Sequence, residues 1–149
     1  MPKVVLAVAC EKPIIGADNT LSLITVLHSI KVFPAGKDPS GNALMTNWHV
    51  VTLWRREPME SGSTRFQQRL TITNPEGKTT FQALTEFEIP RWFHRNINRI
   101  QGFPAQDGDY NINIAVRDMK QESWTEGASF PLRIEVHKPV TAPSTPTTH

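Results

Sequence analysis

The sequence predicts an all-β protein: one antiparallel β-sandwich of about eight strands. Apolar and polar residues alternate with a period of two along most of the chain, and no segment sustains the three-to-four repeat of an amphipathic helix. Clusters of Gly, Pro, Asn and Asp separate these alternating runs. Strands with one apolar and one polar side are typical of antiparallel sheets that cover a core on one face only.

The predicted strands cover residues 3–10, 20–33 (with a possible bulge), 47–56, 65–74, 78–89, 92–100, 109–117 and 128–137. The clearest alternation is in "DYNINIAVR", where Tyr110, Ile112, Ile114 and Val116 are expected to face the core. "RLTITN" and "FPLRIEV" show the same pattern.

The stretch "NPEGK" predicts a tight turn between two of these strands. Asn74, Pro75 and Gly77 occupy the first, second and fourth positions that a type I turn favours. Residues 65–74 and 78–89 are therefore expected to form a hairpin. Residues 34–42 and 103–110 are predicted to be loops.

A Gly-x-Tyr sequence at the start of a late strand makes the predicted sandwich immunoglobulin-like. Gly108 and Tyr110 are typical of a tyrosine corner, in which the hydroxyl bonds to upstream backbone. Ile112 takes the place of the second cysteine of antibody domains, so no disulfide is expected. Trp48 and Trp54 lie on an earlier strand, where such sandwiches often bury a tryptophan.

Composition indicates one domain, residues 1–137, followed by a disordered Pro/Thr-rich tail at residues 138–149. The 149 residues carry a formal net charge of +2 and include a single cysteine. No apolar run reaches the length of ~18 residues that a transmembrane helix needs. The excess of basic residues is largest in residues 51–101 and is small there, whereas a dedicated nucleic-acid binder usually has a denser basic patch.

The opening stretch "KVVLAVACEK" has two interpretations. It resembles a lipoprotein signal, but its apolar run, Val4 to Ala9, is short, and Glu11 follows Cys10 directly. We therefore expect a β-strand in a cytoplasmic protein, with Cys10 as a buried, unreactive thiol.

The chain resembles a family of small bacterial proteins catalogued as domain of unknown function 6941. The resemblance is carried by "ACEKPIIGADNTLSLITVLHSIKV", "VTLWRRE", "NPEGK" and "GFPAQDGDYNINIAVRD…ASFPLRIEV". It covers most of residues 3–137 and implies a β-sandwich in a cytoplasmic bacterial setting. It implies no catalytic residue.

Candidate metal sites are weak in this sequence. His28, His49, His94 and His137 are scattered one per strand without metal-ligand spacing, and a zinc site would require three of them to meet in space. Carboxylates that flank the strand of Tyr110 are possible calcium ligands or simply turn residues; they are Asp107, Asp109 and Asp118. No cofactor or metal is expected.

Basic and aromatic residues are interleaved in the middle of the chain. Such residues hold phosphate and stack bases in some proteins, and in others form a polar face paired with Glu57, Glu86 and Glu88. The candidate binding residues are Trp54, Arg55, Arg56, Arg65, Arg69, Trp92, Arg95 and Arg99.

These features favour a non-enzymatic protein-interaction or assembly module, with a protein partner or self-association and no membrane. The alternative is a ligand or nucleic-acid binder that uses the Arg/Trp residues. A metal-dependent hydrolase built on sandwich loops is a third, weaker hypothesis.

Overall fold

The computed structural model describes residues 1–32, 43–44, 47–57, 60–101 and 104–136. The predicted loop at 34–42, His137 and the predicted tail lie outside these ranges. The described chain is all-β and contains eleven strands. They are β1 (Lys3–Ile15), β2 (Leu21–Leu27), β3 (Ser29–Val32), β4 (Ala43–Leu44), β5 (Trp48–Arg55), β6 (Arg65–Thr73), β7 (Thr79–Glu88), β8 (Phe93–Ile100), β9 (Pro104–Ala105), β10 (Gly108–Asp118) and β11 (Thr125–Val136).

Nine strands form two sheets, and the remaining two, β4 and β9, pair with each other. Sheet A has the order β2-β1-β5-β8, and sheet B has the order β3-β11-β10-β6-β7. Every pairing is antiparallel except that of β3 with β11, which is parallel. In the ranges that the model covers, no helix is long and apolar enough to cross a membrane.

The two sheets share one apolar core. Trp48, Val50 and Trp54 of β5 pack with residues of β6, β7, β10 and β11 in a single buried cluster. The rings of Trp54 and Phe87 stack across the two sheets with centroids 5.8 Å apart. The predicted inward residues of β10 are all buried, and so are Leu132 and Ile134 of β11. The alternation therefore identified the inner side of sheet B correctly.

The strand predictions differ from the structure mainly near the amino terminus. β1 continues to Ile15, five residues beyond the predicted end, because it pairs with β2 up to the turn. The predicted strand 20–33 is two strands that join different sheets, β2 in sheet A and β3 in sheet B. The predicted loop 103–110 is interrupted by β9, and β10 begins within it.

The predicted turn between β6 and β7 is present. The amide of Gly77 donates to the carbonyl oxygen of Asn74 at 2.9 Å. The Asn74 side chain accepts from the amides of Glu76 and Lys78. Gly77 has φ = 81°, a left-handed conformation that glycine adopts without a steric penalty. This turn fixes the register of the β6–β7 hairpin.

Tyr110 makes the upstream contact that the sequence predicts. Its hydroxyl accepts a hydrogen bond of 3.0 Å from the amide of Gln106, and its ring is buried. Burial raises the pKa of the Tyr110 hydroxyl above its ordinary value. Gly108 has φ = 131°, and a Cβ there would lie 2.6 Å from the Pro75 side chain, so this position requires glycine.

Candidate binding surface

Exposed apolar side chains are concentrated on sheet A. Eight of the ten exposed large hydrophobic residues in the described chain lie on β1, β2 and β8 or directly before β8. They are Val5, Ile14, Ile15, Ile24, Val26, Trp92, Phe93 and Ile97. The other two are Met1 and Leu84. We call the four on the β1–β2 hairpin, Ile14, Ile15, Ile24 and Val26, the hairpin cluster.

The β1–β2 hairpin folds back over the outer side of sheet A. Arg95 of β8 is paired with Leu53, which in turn is paired with Leu6 near the start of β1. Arg95 nevertheless donates to the carbonyl oxygen of Asn19 at 3.0 Å, and also to its side-chain oxygen. Because Asn19 lies in the turn beyond the far end of β1, the hairpin must cross β5 to reach β8.

This fold-back accounts for the burial of Cys10 and Val51. Both point away from the shared core, since their neighbours Ala9 and Val50 belong to it, yet both are fully buried. Burial raises the pKa of the Cys10 thiol. The predicted burial of the Cys10 thiol is therefore confirmed. Thr25 of β2 has φ = 53°, which is unfavourable for a β-branched residue and interrupts the straight course of the hairpin.

The turn at the tip of the hairpin is ordered by its own polar groups. The amide of Gly16 donates to the carbonyl oxygen of Thr20 at 2.8 Å. The hydroxyl of Thr20 donates to the Asp18 carboxylate at 2.6 Å. This hydrogen bond is the main cause that holds the pKa of Asp18 below its ordinary value. The tip borders a shallow pocket of about 310 Å³ whose lining is Asn19, Leu53, Phe93, His94 and Arg95.

Strand β8 turns His94, Asn96 and Asn98 inward and Phe93 and Ile97 outward, whereas Ile100 at its end belongs to the shared core. Asn96 is paired with Thr52 and Asn98 with Val50, both on the inner side of β5. The side chain of Gln68 on β6 satisfies them: its oxygen accepts from Asn96 at 3.1 Å and from the Trp54 indole at 2.7 Å, and its nitrogen donates to Asn98 at 3.0 Å. As a result, Phe93 and Ile97 are left on the outer side.

The outer side of sheet B is polar. Arg69 of β6 and Arg117 of β10 lie over the ring of Trp124, at 4.5 and 5.1 Å from its centroid. Arg117 also donates to Gln67 at 2.8 Å. These contacts engage Arg69 and Arg117 within the protein.

The eight residues predicted as a binding surface do not form one. Trp54 is fully buried, because it lies on the inner side of β5 and bonds to Gln68, so its assignment to a surface is wrong. Arg56 is also buried, and its guanidinium donates to the carbonyl oxygens of Glu60 and Gly62.

The other six residues divide between opposite sides of the molecule. Arg65 and Arg69 share the outer side of sheet B, as predicted. Arg55, Arg95 and Arg99 lie on the outer side of sheet A, and Trp92 is exposed just before β8. Each of the three predicted glutamates lies near an arginine: Arg65 lies 3.4 Å from Glu88 and 3.9 Å from Glu86, and Arg55 lies 3.5 Å from Glu57. The division removes the geometric support for a single phosphate-binding surface.

The candidate metal ligands are also apart. Asp109 and Asp118 lie near opposite ends of β10, about 30 Å from each other at ~3.3 Å per residue. Asp109 bonds to Arg133, and Asp107 accepts from the amide of Val136. Within the described ranges, no three His, Cys, Asp or Glu residues are grouped so that they could hold a metal ion.

The hairpin cluster was missed in the sequence because alternation describes flat strands only. Ile14 and Ile15 are adjacent, so on a straight strand one of them would face the core. Both are exposed because the hairpin leaves the sheet. A usable signal was present in "PII" and "LIT", where consecutive apolar residues do not fit a strand with one apolar side.

In comparisons with known proteins, no family model and no curated protein matches the chain.

Proposed function

We propose that this protein is a non-enzymatic protein-interaction module, an immunoglobulin-like β-sandwich that binds a partner protein through the hairpin cluster. The observation that carries the proposal is that eight of the ten exposed large hydrophobic residues of the described chain belong to β1, β2 and β8 or directly precede β8. Exposed apolar residues concentrated on part of a folded domain are typical of a site that another protein covers. The partner is expected to present apolar side chains to this cluster.

Three features support the immunoglobulin-like assignment. Two sheets share one core, Trp54 is buried on a strand of one of them, and the Tyr110 hydroxyl bonds to upstream backbone near Gly108. The resemblance to the bacterial family catalogued as domain of unknown function 6941 is part of the same proposal. So is a cytoplasmic location, which the single, buried and unpaired Cys10 supports.

Cations beside the apolar residues fit an interface that also selects its partner by charge. Lys12 is paired with Ile24, so the two side chains share one side of the hairpin. Arg95 lies beneath the hairpin tip. Charged groups around an apolar centre steer association and fix the orientation of the partner. We therefore expect acidic residues around the apolar contact surface of the partner.

A capture experiment tests the proposal. The protein, a Val26→Asp variant and a Ser129→Asp control are used as baits in extract of the source organism, and recovered proteins are quantified by mass spectrometry. Val26 is exposed in the hairpin cluster, whereas Ser129 is exposed on the polar side of sheet B. We expect a stoichiometric partner with the unmodified protein and the control, and a loss of at least ~10-fold with Val26→Asp.

The control separates an effect of the cluster from an effect of added charge. Both substitutions introduce one carboxylate on an exposed strand position. Recovery of no stoichiometric partner, or equal recovery by all three baits, would contradict the proposal.

A further inference from the structure

The edge strands of the two sheets, β7 and β8, lie side by side on one flank of the molecule. The rings of Phe87 on β7 and His94 on β8 stack with centroids 5.1 Å apart. The Asn98 amide of β8 donates to the Thr85 hydroxyl of β7 at 3.2 Å. Among the described strands, β7 pairs only with β6 and β8 only with β5. Within the described part of the chain, this flank therefore presents two strand edges that pair with no further strand.

The outward sides of these two edges carry opposite charges. On β7, Leu84 is followed at alternate positions by Glu86 and Glu88, all exposed. On β8 the outward series runs from an aromatic residue to a cation, an aliphatic residue and a second cation: Phe93, Arg95, Ile97 and Arg99. Leu84 is the one exposed large hydrophobic residue on sheet B in the described chain.

Contacts within the molecule leave Glu86, Glu88 and Arg99 incompletely paired, whereas Arg95 already donates to the carbonyl and side-chain oxygens of Asn19. Arg65 is the single cation near both Glu86 and Glu88, and all three side chains are more than half exposed. Arg99 is exposed, and it has no ion pair with any described residue. Unpaired strand edges with complementary side chains favour the addition of another strand.

We propose that a second copy of this chain binds at this flank, with β7 of one copy pairing with β8 of the other. If Leu84 is placed opposite Ile97 in an antiparallel pairing, Glu86 lies opposite Arg95. In a parallel pairing with the same central contact, Glu86 lies opposite Arg99. Both directions therefore join an aliphatic pair to an ion pair. Because each molecule presents both edges on one flank, two such pairings in the antiparallel direction close a two-fold dimer.

The dimer goes beyond the proposed partner interaction, because its strand pairing involves β7 and β8, although Arg95 of β8 also holds the hairpin turn through Asn19. A monomeric protein would disprove the dimer and leave the capture result untouched. Conversely, a dimer that recovers no partner would disprove only the proposed function.

Charge reversal on each strand, measured by sedimentation equilibrium over a wide concentration range, tests the dimer. The variants are Glu86→Arg and the double variant Arg95→Glu/Arg99→Glu. Each alone places like charges opposite each other, so we expect dimerisation to weaken at least ~100-fold. Mixing the two variants places opposite charges together in both pairings. The mixture should therefore recover the dimer.

Control substitutions with the same sign of charge change lie on β11, away from this flank: Glu126→Arg and Arg133→Glu. They should leave the dimer intact. The proposal is overturned by a wild-type protein that is monomeric throughout, by a dimer that survives the reversals, by a mixture that stays monomeric, or by equal losses in the controls. A dimer lost only in Val26→Asp would place the contact on the hairpin cluster and also overturn it.

Cross-linking supplies a test that does not depend on charge-reversed variants remaining folded. Leu84 and Ile97 are both exposed, so Leu84→Cys and Ile97→Cys remove little packing. A mixture of these two single variants, mildly oxidised, should give more disulfide-linked dimer than either variant alone. No enrichment in the mixture would contradict pairing of β7 with β8.

Discussion

The central parts of strands β8 and β10 both alternate apolar and polar residues, but with opposite orientations relative to the core. In β10 the apolar residues Ile112 and Ile114 face inward and Asn111 and Asn113 face outward. In β8 the asparagines at positions 96 and 98 face inward, and Ile97 faces outward. Alternation therefore shows that a strand has two unlike sides but not which side is buried.

The inverted strand is tolerated because its neighbours satisfy its polar groups. A buried amide without a partner costs about 1–3 kcal/mol, so polar residues are rarely turned inward alone. Here the side chain of Gln68 in sheet B reaches across the core to β8. It accepts a hydrogen bond from Asn96 and donates one to Asn98. The consequence is that apolar residues are left outside at an edge strand, where another chain is able to cover them.

The largest expected difference in stability between β10 and β8 comes from truncating one isoleucine on each strand. Ile112 is fully buried, and Ile112→Ala should lower the free energy of unfolding by about 2–5 kcal/mol, since it removes buried methyl groups and leaves a cavity. Ile97 is 37% exposed, and Ile97→Ala should cost less than about 1 kcal/mol in the monomer. Urea unfolding at low protein concentration measures both. Equal losses would mean that Ile97 belongs to the core.

Much of the fold was predictable from sequence because sheet B follows simple rules. The alternation of "DYNINIAVR" and the turn residues Asn74 and Gly77 depend only on local geometry and on one buried side, so both were predicted correctly. The division of residues 20–33 into β2 and β3 was not predicted, because it depends on which sheet each strand joins. That choice is a long-range contact with no local signal.

The candidate surface was less predictable for the same reason. Trp54 was assigned to a binding face because it precedes two arginines, but its indole is satisfied by Gln68, which is 14 residues away in sequence. The hairpin cluster depends on a fold-back that Arg95 stabilises through Asn19, 76 residues away. Single-sequence patterns carry no information on such contacts.

Replacing Gln68 tests whether the inverted strand depends on it. Gln68→Leu keeps a similar volume but removes the partners of Trp54, Asn96 and Asn98, so we expect a loss of about 2–4 kcal/mol in urea unfolding. Gln67→Leu is the matched control on the outer side of β6. Gln67 accepts from Arg117, whose guanidinium is able to turn to solvent, and its loss should cost no more than about 1.5 kcal/mol. Similar losses of unfolding free energy at both positions would show that the buried hydrogen bonds of Gln68 stabilise the fold no more than the hydrogen bond of Gln67 does.

Replacing Tyr110 tests how well the inward side of β10 is shielded from solvent, and it has the smallest expected effect on stability. Tyr110→Phe removes the hydrogen bond to the Gln106 amide and should cost about 1 kcal/mol at neutral pH. Burial raises the pKa of this hydroxyl in the folded protein, so the folded state holds its proton more tightly than the unfolded state. Wild-type stability should therefore fall as pH rises above about 10, the ordinary tyrosine value, whereas the phenylalanine variant has no such group.

The difference in stability between the wild type and Tyr110→Phe should consequently narrow at high pH. Urea unfolding of both proteins at pH 7 and at about pH 10.5 measures it, and Cys10, present in both, affects them alike. A constant difference would mean that the Tyr110 hydroxyl ionises as readily in the folded chain as in the unfolded one. In that case the Tyr110 hydroxyl would be solvated. The inward side of β10 would then be less apolar than the contrast with the polar inward side of β8 implies.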